Sequence, residues 1–197
     1  MSRQLAALMV ASGLLLAGCA TVSDTIDSIN PFASAGPKMA PLGPLTATAD
    51  VRTAWSASAG KAGDYTFTPA VVGSAVFVAS RSGTVSKLED GKLVWKIDAG
   101  QPLSAGVGAS GRLLVVGTSK GEVLAFSTEN GKALWQAKVS SEVLAAPVVS
   151  DDGVAVKSGD NRIHLLDAGD GGRKWVYQRS TPSLSVRSAG SPVFADR

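Results

Sequence analysis

Two side chains of this sequence are singular: Cys19 is the one cysteine and His164 the one histidine among 197 residues. A solitary thiol cannot close an intramolecular disulfide or build a cysteine-based metal site. What remains to it is the chemistry of an isolated nucleophile, and its surroundings indicate which kind. Arg3 sets a positive charge ahead of the apolar run Leu5–Leu16, and Ala17 and Gly18 then lead to the thiol. A run of that length is too short to cross a bilayer comfortably and has the layout of an export signal. Residues 1–18 are therefore expected to be a signal peptide that is cut before Cys19. His164 lies between Ile163 and Leu165 in a strand-like stretch. Such a ring is expected to pack between structural units or to face solvent, not to serve as a base or a ligand. No constellation of His, Asp and Glu at catalytic spacing accompanies it.

The stretch Leu16-Ala17-Gly18-Cys19 resembles the lipobox of bacterial lipoproteins. That resemblance implies diacylglyceryl transfer to the Cys19 thiol, cleavage before Cys19 and acylation of the new amino terminus. More than one acyl chain makes membrane attachment stable, whereas a single chain is marginal. Alanine rather than aspartate at position 20 implies, by the same resemblance, delivery to the outer membrane. Residues 19–50 are expected to be the lipidated Cys19 and a linker. Pro31, Pro37, Pro41 and Pro44 oppose helix and sheet there, and small residues fill the gaps. A coil of about 30 residues has a root-mean-square reach of roughly 30 Å, enough to hold a domain off a bilayer.

Composition narrows the classes further. Charged residues make up 18%, aromatics 6%, and there are 22 glycines, a turn-rich and β-leaning balance. The net charge of +3 includes Arg3 and comes with no cluster of basic residues interleaved with aromatics. This is not the footprint of a nucleic-acid binder.

What must position any site is a periodic array. Trp55, Trp95, Trp135 and Trp175, the four tryptophans of the chain, stand 40 residues apart. Gly91, Gly131 and Gly171 each precede the next tryptophan by four positions. A period between 20 and 50 residues marks a solenoid, a propeller or an array. Ahead of each Gly-x-x-x-Trp lie short, almost continuously apolar runs separated by tight turns at Ser82-Gly83, Lys120-Gly121 and Asp160-Asn161. The first unit is expected to run from about Ser58 to Asp98. Its inner strand is placed near Phe67–Val71, with Ser104–Val107 and Ala146–Val149 as the counterparts in the next two. Asn161 is expected to take the positive φ that glycine takes in the other units. Runs that do not alternate cleanly indicate strands covered on both faces, as in the blades of a propeller. Residues 51–197 are thus expected to form an all-β propeller domain of four-stranded antiparallel blades with a 40-residue period. About three blades and flanking strands are present: Val51–Trp55 before them and Leu184–Arg197 after. Three blades do not close a ring, so the chain is expected to be the N-terminal part of a longer protein in which the Trp55 strand completes the last blade.

The segment Ala125–Trp135 resembles the tryptophan-docking motif of quinoprotein-type propellers, A-x-D-x-x-T-G-x-x-x-W. The third unit keeps Asp167, Gly171 and Trp175 but has Leu165 and Asp170 at the alanine and threonine positions. The first keeps Gly91 and Trp95 and departs at Val85, Lys87 and Asp90. The resemblance implies a structural role for these indoles, each fastening neighbouring blades. Lipobox, proline-rich tether and docking repeats in combination resemble the BamB family, lipoproteins of the outer-membrane β-barrel assembly machinery. This resemblance implies an eight-bladed propeller, no enzymatic activity and no cofactor or metal. It also implies attachment to the periplasmic face of the outer membrane. The implied partners are the central, BamA-type barrel protein and its associated lipoproteins, and the implied task is to assist insertion of outer-membrane proteins. The connection Gln178–Arg187 carries Leu184-Ser185-Val186-Arg187, which looks like the family's L-x-L-R segment. Leu184, Val186 and Arg187 are accordingly the expected partner-binding residues, with valine replacing the second leucine.

Two other readings share these repeats. One is a fragment of a periplasmic pyrroloquinoline-quinone dehydrogenase, which by resemblance needs a calcium site of Glu, Asn and Asp, a catalytic Asp and often a vicinal disulfide. With Cys19 committed to acylation, the disulfide is excluded. The other is a lipoprotein scaffold with the same repeats and a different partner.

Overall fold

The structure, a computed structural model, describes residue 43, residues 48–179 and residues 188–195. Chain contacts divide at Val51/Arg52, and the strands lie in the unit Arg52–Arg197. Among the described residues there are twelve strands and no helix. The first sheet is β1 (Ala70–Val72), β2 (Ala75–Ala79), β3 (Thr84–Glu89) and β4 (Lys92–Asp98). The second is β5 (Gly108–Ser110), β6 (Leu113–Gly117), β7 (Glu122–Ser127) and β8 (Ala133–Lys138). The third is β9 (Val148–Ser150), β10 (Gly153–Lys157), β11 (Arg162–Leu166) and β12 (Arg173–Gln178). Each is an antiparallel meander in chain order, so the array is a series of propeller blades and an incomplete propeller overall.

Turn chemistry sets the registers. Asp90 (φ 49°) and Gly91 (φ 76°) form a two-residue link between β3 and β4 with both residues left-handed. This is the twist-matched hairpin turn that Asp-Gly favours. The second and third sheets use a longer loop at this place, closed by Gly131 N–H to Ser127 O (2.9 Å) and Gly171 N–H to Asp167 O (3.0 Å). Side chains brace it: Asn130 Oδ1 accepts from Lys132 N (3.0 Å), and Asp170 Oδ1 from Gly172 N (2.7 Å). The first unit departs from the docking motif because it does not build this loop. Asn161 has φ 60°, beside 98° at Gly83 and 79° at Gly121 in the equivalent turns.

The core lies between the sheets. In β6, Leu114 and Val116 face Phe77, Val85 and Leu103 of the first seam. The alternate residues Leu113 and Val115 face Val154, Val156 and Leu166 in the second. A strand that must be apolar on both faces reads as a continuous run, which is why β6 shows no alternation. The inner strands begin later than expected, at Ala70, Gly108 and Val148. Ser104–Val107 is instead a fully buried crossing segment, held by Ser104 N–H to Gly117 O and Val107 N–H to Thr68 O, both 3.0 Å. A Cβ on Gly106 would collide with the Thr68 backbone and one on Gly108 with the Pro147 carbonyl. This crowding directs the hydrogen bonds of residues 104–107 across the seam and leaves only three residues to pair within the sheet.

Candidate docking site and the seams that frame it

Cys19, Leu184, Val186 and Arg187, the residues expected to carry the lipid and the partner contact, all lie outside the described residues. The frame of the 178–187 connection is described at both ends. Gln178 closes β12 and accepts through Oε1 from Nε of Arg162 on β11 (3.1 Å). Ser188, where the description resumes, meets Lys157 Nζ of β10 at 3.0 Å. On β12 itself Trp175, Val176 and Tyr177 are 48%, 38% and 55% exposed, unlike the half-buried Trp95 and Trp135 of the preceding sheets.

Those two indoles show how adjacent sheets are joined. Trp95 Nε1–H donates to Thr128 O (3.2 Å), and Trp135 Nε1–H to Ala168 O (2.9 Å). Their six-membered rings lie over the glycine turn of the next sheet. A Cβ on Gly131 would stand 3.3 Å from Trp95 Cε3, and one on Gly171 2.5 Å from Trp135 Cε3. Trp95 also packs on Phe77, with ring centroids 5.9 Å apart. Trp55 also lies against the glycine turn of the first sheet, by the near end of its side chain, although its own segment, residues 48–61, forms no strand: a Cβ on Gly91 would stand 2.8 Å from Trp55 Cγ. Behind that segment lies a groove of about 520 Å³, lined by Ser58, Ser80, Ser82, Thr84 and Ser86 with Val78 and Leu88. Lys96 is the one charged residue on its wall. A cavity of about 310 Å³ is lined by Asp64, Tyr65, Thr66, Ser104, Leu144 and Ala189. Beside Tyr65 the Arg81 guanidinium lies 4.5 Å from the ring centroid and donates to Leu103 O at 2.8 Å.

His164 is 4% exposed and sits in the second seam, opposite Val156 in the β10–β11 register. Its Nε2 is 3.1 Å from Ser140 Oγ and 3.2 Å from Ser158 Oγ. Ser158 Oγ–H donates in a short bond to Asp160 Oδ1, and Asp160 Oδ2 accepts from Arg162 Nη1 at 2.8 Å. Burial pushes the His164 ring below its ordinary value; Asp160 opposes this, while Arg162 and Arg173 add to it. Burial pushes the Asp160 carboxyl upward, but hydrogen bonds with Ser158 and Ser140 and the charge of Arg162 outweigh it and hold the group low. At Asp167, the Gly169 N–H and then Lys174 lower the carboxyl. The packing expectation for His164 therefore holds, and its polar partners are what sequence reasoning missed. The available signal was positional: His164 stands where the preceding unit has the core residue Leu124. Among the described residues no group of three or more His, Cys, Asp or Glu is placed to hold a metal ion.

Comparison with known proteins gives the family. A family model described as outer membrane protein assembly factor BamB matches residues 45–104 and 81–197. The assembly factor of that name from Bordetella pertussis is 39% identical over 191 residues, covering 95% of this chain and 47% of the relative. The chain thus spans about half the length of the curated relatives it matches. The crystal structure of BamB from Moraxella catarrhalis aligns with a TM-score of 0.58 at 32% identity, over 63% of this chain and 38% of that one. A europium-containing methanol dehydrogenase aligns with a TM-score of 0.53 at 24% identity, over 64% of this chain and 26% of that one, a likeness of fold alone. Docked tryptophans, glycine turns and stacked four-stranded sheets agree with the family match, and the chain belongs to the outer membrane protein assembly factor BamB family.

Proposed function

We propose that this protein is a non-enzymatic scaffold of outer-membrane protein assembly, held at the periplasmic face of the outer membrane by lipid on Cys19. Residues 1–18 are the signal peptide that delivers it and residues 19–50 the tether. It docks to the central barrel protein of the assembly complex through Gln178–Arg187, with Leu184 and Val186 as apolar anchors and Arg187 as a hydrogen-bonding arm. The observation that carries this reading is membership in a family whose relatives bear the name of outer membrane protein assembly factor. Two features support the choice of segment. The residues that bracket it are tied to the body of the third sheet, through Arg162–Gln178 and Lys157–Ser188. Interfaces also concentrate their energy in a few apolar anchors and arginines.

Co-purification of the full chain with the barrel protein tests it. A folded Arg187→Glu, Leu184→Ala variant should lose about 2 kcal/mol, a tenfold or greater loss of affinity. Retention of wild-type affinity would remove the docking role from this connection and leave the family membership intact.

A further inference from the structure

We propose that Ser140, Ser158, Asp160 and His164 form a proton-operated latch across the seam between the second and third sheets. In this latch the neutral ring of His164 holds the crossing segment 139–147 down, and the protonated ring releases it. The inference is independent of the docking role proposed above.

Position is the first ground. The hydrophobic core of the seam that holds His164 includes Val123, Val139, Val143, Val154 and Val156. In the second sheet the same station holds Leu124, and Thr118 there only accepts from the amides of Lys120 and Glu122 within its own turn. In the first sheet Ser80 pairs with Ser82. A titratable ring joins the equivalent hydroxyl only in the third sheet, and there it also reaches Ser140 of the crossing segment.

Proton bookkeeping is the second. Ser158 Oγ–H faces two acceptors, the Asp160 carboxylate and, at 3.3 Å, the Arg162 carbonyl, so toward Ser140 and His164 its oxygen accepts. With Nε2 bare, the Ser140 hydroxyl, which also meets the Asp160 carboxylate, can donate to the ring across 3.1 Å, a direct bond from segment to sheet. Once Nε2 carries a proton it must donate instead, and the Ser140 hydroxyl turns to the Asp160 carboxylate or to Ser158 Oγ, 3.3 Å away. The bonds can be rearranged, but the charge is then enclosed. The groups that meet it are Arg162 on its own strand, Arg173 on β12 and Asp160 in the turn before β11, with Val156 opposite on β10. On the crossing segment stand Ser140 and Glu142, whose carbonyl accepts from Gly159 N at 2.8 Å, and the second sheet presents the apolar side chains of Leu113, Val115, Val123 and Ala125. Two guanidinium groups and burial oppose the single carboxylate, so proton uptake favours the arrangement in which water reaches the ring. What the opening must overcome is the burial of Val139, Val143 and Ala145 and four bonds: Val139 N–H to Gly121 O (2.8 Å), Val143 N–H to Thr118 O (3.0 Å), Gly159 N–H to Glu142 O and Ser104 Oγ–H to Val143 O (2.6 Å). The polar chain continues from Asp160 through Arg162 to Gln178 at the root of the 178–187 connection.

His164 is the only histidine of the chain, which makes the test specific. Amide hydrogen exchange of the full chain, corrected for intrinsic rates, is measured at pH 7.5 and 5.5. Protection of residues 139–147 should fall by about three- to tenfold relative to the equivalent segment 99–107, the range linkage allows for one imidazole. His164→Leu, which installs the residue of the second sheet, should abolish that difference. An equal response of the two segments in wild type, or an unchanged difference in the Leu variant, would overturn the latch. The imidazole titration followed by NMR in wild type is a check free of any folding defect of the variant. A midpoint at or above the ordinary histidine value of about 6.5 would also overturn it.

Discussion

At Gly171 a Cβ would lie 2.5 Å from Cε3 of Trp135, and the backbone is at φ +75°. Gly100 has the same φ of +75° with nothing within 4 Å. The pair separates two costs that a glycine can hide. Gly100→Ala should cost about 1 kcal/mol, the strain of a left-handed alanine. Gly171→Ala should cost about 2–4 kcal/mol, because the indole must also leave its seat. Denaturant melts of the two variants side by side would measure the difference. Charge at Asp160 can be separated in a similar way. Its folded-state carboxyl lies below the ordinary 3.8, so its contribution is fully present above 3.8 and is lost as pH falls through the lower folded-state value. Asp160→Asn should therefore destabilise by roughly 0.5–1 kcal/mol at neutral pH, a modest figure because the group is part-exposed and screened. The gap to wild type should narrow as pH falls below 3.8, which melts on either side of that value would show. His164 acts in the other window. A buried neutral ring with a lowered value makes the unfolded chain take the proton first, so stability falls as pH drops below about 6.5.

The working element is not the single sheet but a sheet together with the glycine turn of the next. Trp135 reaches past its own sheet, donating to Ala168 O and lying over Gly171, so its energy belongs to the seam. Trp135→Ala should cost about 3 kcal/mol, the lower part of the range for large buried aromatics since the ring is half-buried. Trp135→Phe should retain the ring contact and lose the Nε1 bond, costing about 1 kcal/mol. Trp175, 48% exposed, should cost less than about 1 kcal/mol on change to Ala in this chain. Equal losses at Trp135 and Trp175 in the same denaturant series would contradict this account of the seams. Much of this element was legible in residue order. The Asp90-Gly91 and Asp160-Asn161 turns are local chemistry, and the observed φ values follow from the residue types there. The inner strand was legible in kind but not in place, because Gly106 and Gly108 answer to Thr68 and Pro147 rather than to their chain neighbours.

For the whole molecule the outstanding question is where it is held. The proposed anchor rests on one atom, the Cys19 thiol, in a chain with no other cysteine. Cys19→Ser should abolish fatty-acid labelling in growing cells and leave precursor or untethered protein. Unchanged labelling of the serine variant would end the lipoprotein reading. The repeat domain does not depend on that result, since the three sheets and their two seams lie within residues 70–178.

Residue order by itself determined the approximate number of sheets, the turns on either side of the third strand of each and the residues that fasten one sheet to the next. The reason is that each unit is local: turns of Gly, Asp and Asn set the registers, and strands covered on both faces write their burial as unbroken apolar runs. Family membership was legible too, because the docking motif and the lipobox-like stretch Leu16–Cys19 are made of particular side chains. The tertiary structure alone decided what each indole and imidazole touches. Trp95 and Trp135 donate to carbonyls 33 residues onward, and their rings rest where glycines have no Cβ. A carbonyl is common to every residue type, so no letter of the sequence marks it as a partner. The His164 cluster was hidden for a related reason: Ser140, Ser158 and Asp160 are ordinary turn and loop residues until packing brings a crossing segment over the third sheet and excludes water from between them.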